Sequence, residues 1–219
     1  VGAGVTHVKP GDRVAASLLR SCGRCFYCAS GKPSLCDTPH PLDSETRHHD
    51  ADGKPITLGM RMAGWAEYAV VDQSQVVSVP DSMPLETAAL VGCGVITGVG
   101  AVINTAQVEA GSSVVVLGLG GVGINAVQAA RLAGARHVIA VDLLDSKLET
   151  AREFGATHPI NGAREDAVKI VRDLTGGRGA DYVFVTVGSQ RAISQSFEML
   201  RKGGTTVIML DPEAAAQAS

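Results

Sequence analysis

From residue 113 onward the apolar positions switch between two periods. Ser113-Val-Val-Val-Leu117 is a β-branched run that reads as a buried strand and ends in glycine. The next stretch places Ile124, Val127, Ala130 and Leu132 on one side of a helix, with Gly134 positioned to cap its C-terminus. His137-Val-Ile-Ala-Val141 is a second buried strand, closing on Asp142. The pattern predicts further helices over 145–153, 163–174 and 190–200, and strands over Tyr182–Val187 and Thr205–Leu210. Four strands alternating with helices predict an α/β domain, a Rossmann-type doubly wound parallel sheet that is incomplete against the usual six strands.

Residues 1–90 have a different texture. Lys9-Pro-Gly-Asp12 is a turn before a strand at Arg13–Ala16. Gly64–Val71 alternates like a strand, and so do Val76, Val77 and Val79 before Pro80. Short strands among turns predict an all-β module. The domains are expected at 1–92 and 93–219.

Composition narrows the class. The 219 residues are 45% hydrophobic and 19% charged, enough to build a core and far from the disordered corner. A net charge of −3 argues against a general nucleic-acid binder. No window reaches about 18 uncharged apolar residues, so no membrane span is expected. The opening Val1-Gly-Ala-Gly-Val5 lacks the regions of a secretory signal, and a bland run follows Asp211-Pro212. Both ends read as cut, and a cytoplasmic location is expected.

Four of the five cysteines, Cys22, Cys25, Cys28 and Cys36, fall within fifteen residues. That is a poor disulfide framework, whereas two-residue gaps let thiolates converge on one ion. Four of them fill a tetrahedral Zn²⁺ shell, so such a zinc is structural. Reduced cysteines or an iron–sulfur cluster are the alternatives. Cys93 stands alone in an apolar stretch, where the default is a small buried hydrophobe. Its glycine neighbours hint at a close approach by backbone or ligand.

The strand at 113–117 runs into Gly118-Leu-Gly120-Gly121-Val122-Gly123, a G-x-G-x-x-G turn opening a helix. Asp142 follows nineteen residues beyond Gly123, at the end of the next strand. Strand, glycines, helix, strand and acid in that order form a dinucleotide fingerprint. The glycines bring backbone N–H groups and the helix N-terminus to a pyrophosphate. Asp142 would accept from the adenosine ribose hydroxyls and repel a 2′-phosphate, which favours NAD. Val187 and Gly188 are expected on the same rim, beyond the strand ends. Lys147 either neighbours that ribose or is simply solvated. His48-His49-Asp50-Ala-Asp52-Gly53 reads as a solvated loop.

Val1–Val5, Val8-Lys-Pro-Gly-Asp-Arg-Val14, the four-cysteine lobe, Gly92-Cys93-Gly94-Val-Ile-Thr-Gly98 and Gly118–Gly123 carry one resemblance. In order and spacing the chain resembles the zinc-containing medium-chain alcohol dehydrogenases, especially their class III-like, S-(hydroxymethyl)glutathione dehydrogenase-like branch. The resemblance implies a partial GroES-like catalytic domain with a zinc lobe at 20–38, then an NAD-binding domain. It implies that Cys93 is a ligand of a catalytic zinc, and that Thr97 and Val122 line the nicotinamide pocket. Zinc then acts as a Lewis acid on an alcohol, a primary alcohol or an S-hydroxymethyl thiol adduct, whose hydride passes to NAD. The family norm implies a homo-oligomer.

The family's other two catalytic-zinc ligands, a Cys and the His of a Gly-His-Glu segment, lie upstream of residue 1. The end of its coenzyme domain lies downstream. The chain is therefore expected to be an internal fragment, inactive by itself. His7, His40, His48, His49, His137 and His158 show no spacing that aims two of them at Cys93. Two other readings are a polyol or secondary-alcohol dehydrogenase of the same family, and a non-catalytic zinc- and dinucleotide-binding protein.

Overall fold

The computed structural model describes residues 1–44 and 47–209. They form two compact units, Val1–Cys93 and a second that begins at Gly94.

The second unit is built on five parallel strands. They are β5 (Ser113–Leu117), β6 (His137–Asp142), β7 (His158–Asn161), β8 (Ala180–Val185) and β9 (Leu200–Ile208), in spatial order β7-β6-β5-β8-β9. Helices α5 (Gly121–Leu132), α6 (Asp145–Glu153), α7 (Ala167–Leu174) and α8 (Gln190–Met199) connect them. A parallel sheet covered on both faces needs apolar residues at every position of its central strands. Val114, Val116, Val138, Ala140 and Phe184 pack on one face with Ala126, Val127 and Ala130 of α5. The alternate residues Val115, Leu117, Ile139, Val141, Val183 and Val185 pack on the other with Val171 of α7 and Met199 of α8. Each buried Val is worth roughly 1.5–3 kcal/mol, so this run alone fixes register and faces.

The residue pattern missed β7. His158-Pro-Ile-Asn161 is only four residues long and contains a proline, which a central strand rarely tolerates. Among the described residues β7 pairs with β6 alone, as an edge strand, so the missing N–H costs little. Two other bounds shift for local reasons. Helix α7 starts at Ala167 and not 163, because the Asp166 carboxylate caps the Lys169 N–H at 3.0 Å. Strand β8 ends at Val185, two residues early, and β9 begins at Leu200 with a register irregularity opposite Ala180 and Tyr182. Leu210, the last residue of the predicted final strand, lies outside the described residues.

The first unit holds far less regular structure. Strand β1 (Val14–Ala16) pairs antiparallel with β4 (Val76–Ser78), and β2 (His48–His49) with β3 (Pro55–Ile56). Short helices α1 (Phe26–Ala29), α2 (Pro41–Ser44) and α3 (Leu85–Leu90) complete it. Gly64–Val71 is not a strand. No other strand pairs with it among the described residues, and Trp65, Tyr68 and Val70 are exposed. His48 and His49, read as loop, form one arm of a two-residue hairpin, with both side chains exposed.

Residues Leu85–Thr105 are helical throughout, with a mean hydropathy of 1.7 over an 18-residue window. By length and composition alone this run is apolar enough to cross a membrane, as the core helix of a folded domain also can be. Interspersed Thr, Gly and Asn hide it from a count of apolar residues. It comprises α3, a π-turn at Val91–Val95, α4 (Ile96–Gly100) and a second π-turn at Ala101–Thr105. Ala101 and Val102 are buried in the core of the second unit.

Candidate metal and dinucleotide sites

The Cys-rich lobe is a chain of tight turns closed by its own sulfurs. Cys25 caps α1, its Sγ accepting the Cys28 N–H at 3.5 Å. Cys22 Sγ accepts from the Cys25 N–H at 3.3 Å and from the Thr38 hydroxyl at 3.1 Å. Cys36 Sγ accepts from the Cys22 N–H at 3.3 Å. The four Sγ atoms lie within 4.8 Å of one another. Donors aimed at sulfur favour the thiolate, and the Thr38 hydroxyl leads in pulling the Cys22 thiol down to about 6. Desolvation leads in pushing the Cys28 thiol up to about 11, and hydrogen bonding with the neighbouring Cys25 adds to it. The donor set thus fits a tetrahedral Cys₄ zinc. Among the described residues it is the one group of three or more His, Cys, Asp or Glu side chains that converges this way.

Cys93 is exposed, not buried as an isolated apolar cysteine would be. It lies in the π-turn Val91–Val95, an irregularity the sequence pattern did not signal and one frequent at functional sites. The hint from its glycine neighbour resolves to backbone: a Cβ on Gly92 would lie 2.0 Å from the Ala16 carbonyl oxygen. Cys93 lines a cavity of ≈770 Å³ within the first unit, together with Ala16, Trp65 and Tyr68. His48 and His49 line it too, so these histidines face the same space as Cys93 without converging on it.

In the second unit β5 ends in the glycine turn. Gly118 has φ +92°, and a Cβ there would lie 2.3 Å from Val187 Cγ1. A Cβ on Gly123 would lie 1.9 Å from the Gly118 carbonyl oxygen. These two glycines are required by packing. Gly120 and Gly121 face open space, and no side chain caps α5 at Gly120. That leaves a cradle in front of a helix N-terminus, where backbone N–H groups and the dipole favour an anion. Val122 lies in the first turn of α5, and its carbonyl is the close neighbour of Gly98 in α4, the helix that carries Thr97. Thr97 is exposed, and so is Gly188.

Sequence reasoning missed Thr186. Its hydroxyl donates to the Leu117 carbonyl at 3.1 Å and the Gly118 carbonyl at 2.9 Å, tying the segment after β8 over the turn. A hydroxyl residue directly after a buried strand, beside a glycine turn, was the available signal.

Asp142 ends β6 with its side chain only 9% exposed. Its Oδ2 accepts the Leu119 N–H at 2.8 Å, and its Oδ1 accepts those of Leu143 at 2.8 Å and Leu144 at 3.1 Å. Lys147 Nζ lies 3.7 Å from Oδ2, so this lysine is a neighbour of the carboxylate. The carboxylate is thereby fixed beside the glycine turn with acceptor capacity to spare.

Comparison with known proteins agrees with this geometry. Residues 1–81 match the alcohol dehydrogenase GroES-like domain and residues 121–210 the zinc-binding dehydrogenase domain. The chain belongs to the zinc-containing alcohol dehydrogenases. An NDMA-dependent alcohol dehydrogenase of Amycolatopsis methanolica is 44% identical over 97% of this chain and 60% of its own length. An S-(hydroxymethyl)glutathione dehydrogenase of Paracoccus denitrificans is 39% identical over 100% of this chain and 62% of its own. Among solved structures, an alcohol dehydrogenase zinc-binding domain protein from Burkholderia ambifaria superposes with a TM-score of 0.85 at 36% identity, covering 100% of this chain and 63% of that one. The chain thus spans about 60% of the length of the alcohol dehydrogenases it matches.

Proposed function

We propose that this chain carries the zinc lobe and the coenzyme site of an NAD-dependent alcohol dehydrogenase acting on a primary alcohol or an S-hydroxymethyl thiol adduct. The observation that carries the reading is Asp142, held by three backbone N–H groups beside an open glycine cradle. In this reading Gly118, Gly120, Gly121 and Gly123 admit the pyrophosphate, while Asp142 and Lys147 take the adenosine ribose. Thr97, Val122, Val187 and Gly188 flank the nicotinamide. Residues 1–92 serve as the partial catalytic domain and 93–219 as the coenzyme domain. Cys22, Cys25, Cys28 and Cys36 hold a structural zinc. Cys93 is assigned as one ligand of a catalytic zinc, which when bound supplies Lewis-acid activation of the alcohol. NAD accepts the hydride.

Calorimetry on the 219-residue chain tests the coenzyme half. NAD should bind and NADP should bind more weakly, and Asp142→Ser with Leu143→Arg should narrow or reverse the ratio. An unchanged ratio would remove Asp142 as the ribose residue. For the reaction, this chain replaces the matching segment of the Paracoccus relative. The chimera should reduce NAD with S-hydroxymethylglutathione or a primary alcohol. Turnover only when NDMA is added would replace free NAD as the electron acceptor.

A further inference from the structure

Asn161 is the last residue of β7, the strand absent from the residue pattern, and stands opposite Asp142 in the β6–β7 ladder. It is 4% exposed, and a buried primary amide needs partners. Its Nδ2 donates to Asp145 Oδ1 at 2.7 Å and to the Leu143 carbonyl at 3.3 Å, while its Oδ1 accepts the Ala163 N–H at 3.0 Å. Arg164 pairs with the same Asp145 oxygen. The Leu143 carbonyl and the Leu144 N–H belong to one rigid peptide plane. Asn161 grips the carbonyl side of that plane, and Asp142 Oδ1 receives its N–H. The side-chain amide therefore holds the loop that aims the carboxylate.

We propose that Asn161 is a positioning residue for coenzyme recognition, setting the orientation in which Asp142 meets the adenosine ribose. The proposal rests on the dinucleotide reading of the glycine turn. Loss of the Asn161 amide frees the 143–144 peptide to rotate, and the carboxylate loses one of the donors that fix its oxygens. Geometry optimised for a hydroxyl pair is then lost, while the phosphate cradle at Gly120 and Gly121 is untouched.

The test measures ADP and 2′-deoxy-ADP binding by calorimetry on the 219-residue chain and its Asn161→Ala variant. The parent should prefer ADP, because only ADP offers the 2′-hydroxyl. In Asn161→Ala the ADP affinity should fall about tenfold, in keeping with a hydrogen bond to a charged group, and 2′-deoxy-ADP should change little. An equal loss for both ligands means a purely structural role and overturns the proposal. Unchanged binding of both overturns it as well. A parent chain without preference for ADP would overturn the ribose assignment of Asp142, and this inference with it. If Asn161→Ala fails to fold, Asn161→Leu keeps the branched shape while removing both donors and should collapse the same preference.

Discussion

The zinc lobe and the glycine turn build their sites by opposite means. Between Cys22 and Cys36 no residue is buried, and the only regular structure is one four-residue helix and a single 3₁₀ turn. The glycine turn ends β5, the middle strand of five, whose Val114, Val115 and Val116 are fully buried. In the lobe, a metal ion held by the four sulfurs would take the place of a core. In the sheet, apolar burial positions the backbone of the glycine turn, and Asp142 is a side chain fixed beside it. The lesson is that residue identity specifies the first site, and residue size the second.

Removing one sulfur should therefore have the largest effect. Structural zinc in small Cys sites contributes on the order of 10–16 kcal/mol of apparent binding energy, which is also folding energy. Cys25→Ser should abolish zinc retention, read by mass spectrometry, and unfold the first unit in limited proteolysis. NAD binding by the second unit should persist. A variant that loses zinc yet keeps its proteolytic pattern would show that the lobe has a core of its own.

The glycines test the other half. Gly123→Ala places a methyl group 1.9 Å from a backbone oxygen, so the turn must move. Overpacking of this kind costs roughly 1–3 kcal/mol, and dinucleotide binding should disappear with the lowered Tm. Gly120→Ala meets nothing within 4 Å at φ −76°. Its Tm should stay within the roughly 0.5 kcal/mol typical of surface changes, while NAD affinity drops because the methyl group occupies the cradle. Equal effects at the two positions would dissolve the distinction between packing and ligand glycines.

Much of this was legible in the residues. The glycine turn, Asp142 and the cysteine spacing are local patterns with strong physical constraints, and they stand where the pattern placed them. The first unit was legible only in part. Alternation at Gly64–Val71 predicts a strand, but a strand forms only with a ladder partner, and alternation cannot supply one. The exposure of Cys93 was hidden because it depends on a π-turn. β7 was hidden by its proline, and Asn161 with it. The contacts of Asn161 with Leu143 and Asp145, and of Thr186 with Leu117 and Gly118, join residues far apart in sequence; only Thr186 had a local signal, its place directly after a buried strand.

The smallest effect sharpens the comparison at the rim of the sheet away from the glycine turn. His137 begins β6, the strand that ends at Asp142. Its Nδ1 lies 3.1 Å from the Ser113 hydroxyl, and its ring meets that of His158 edge-on with centroids 5.4 Å apart. Desolvation, then the positive fields of His158 and Arg136, hold its pKa below 6.5. The unfolded chain therefore binds a proton there more readily than the folded one. Stability is intact above about pH 6.5 and declines as pH falls through that value towards the folded pKa. The ring is only partly buried, so the expected loss is about one to two degrees of Tm. Melting of the zinc-loaded chain between pH 7.5 and 5.5 should show it as a difference from His137→Gln, which lacks the titration. His158→Gln should recover part of the loss by removing one repelling charge. Identical pH dependence in parent and His137→Gln would mean that acid acts elsewhere, and that the sheet's stability is set by its apolar faces alone.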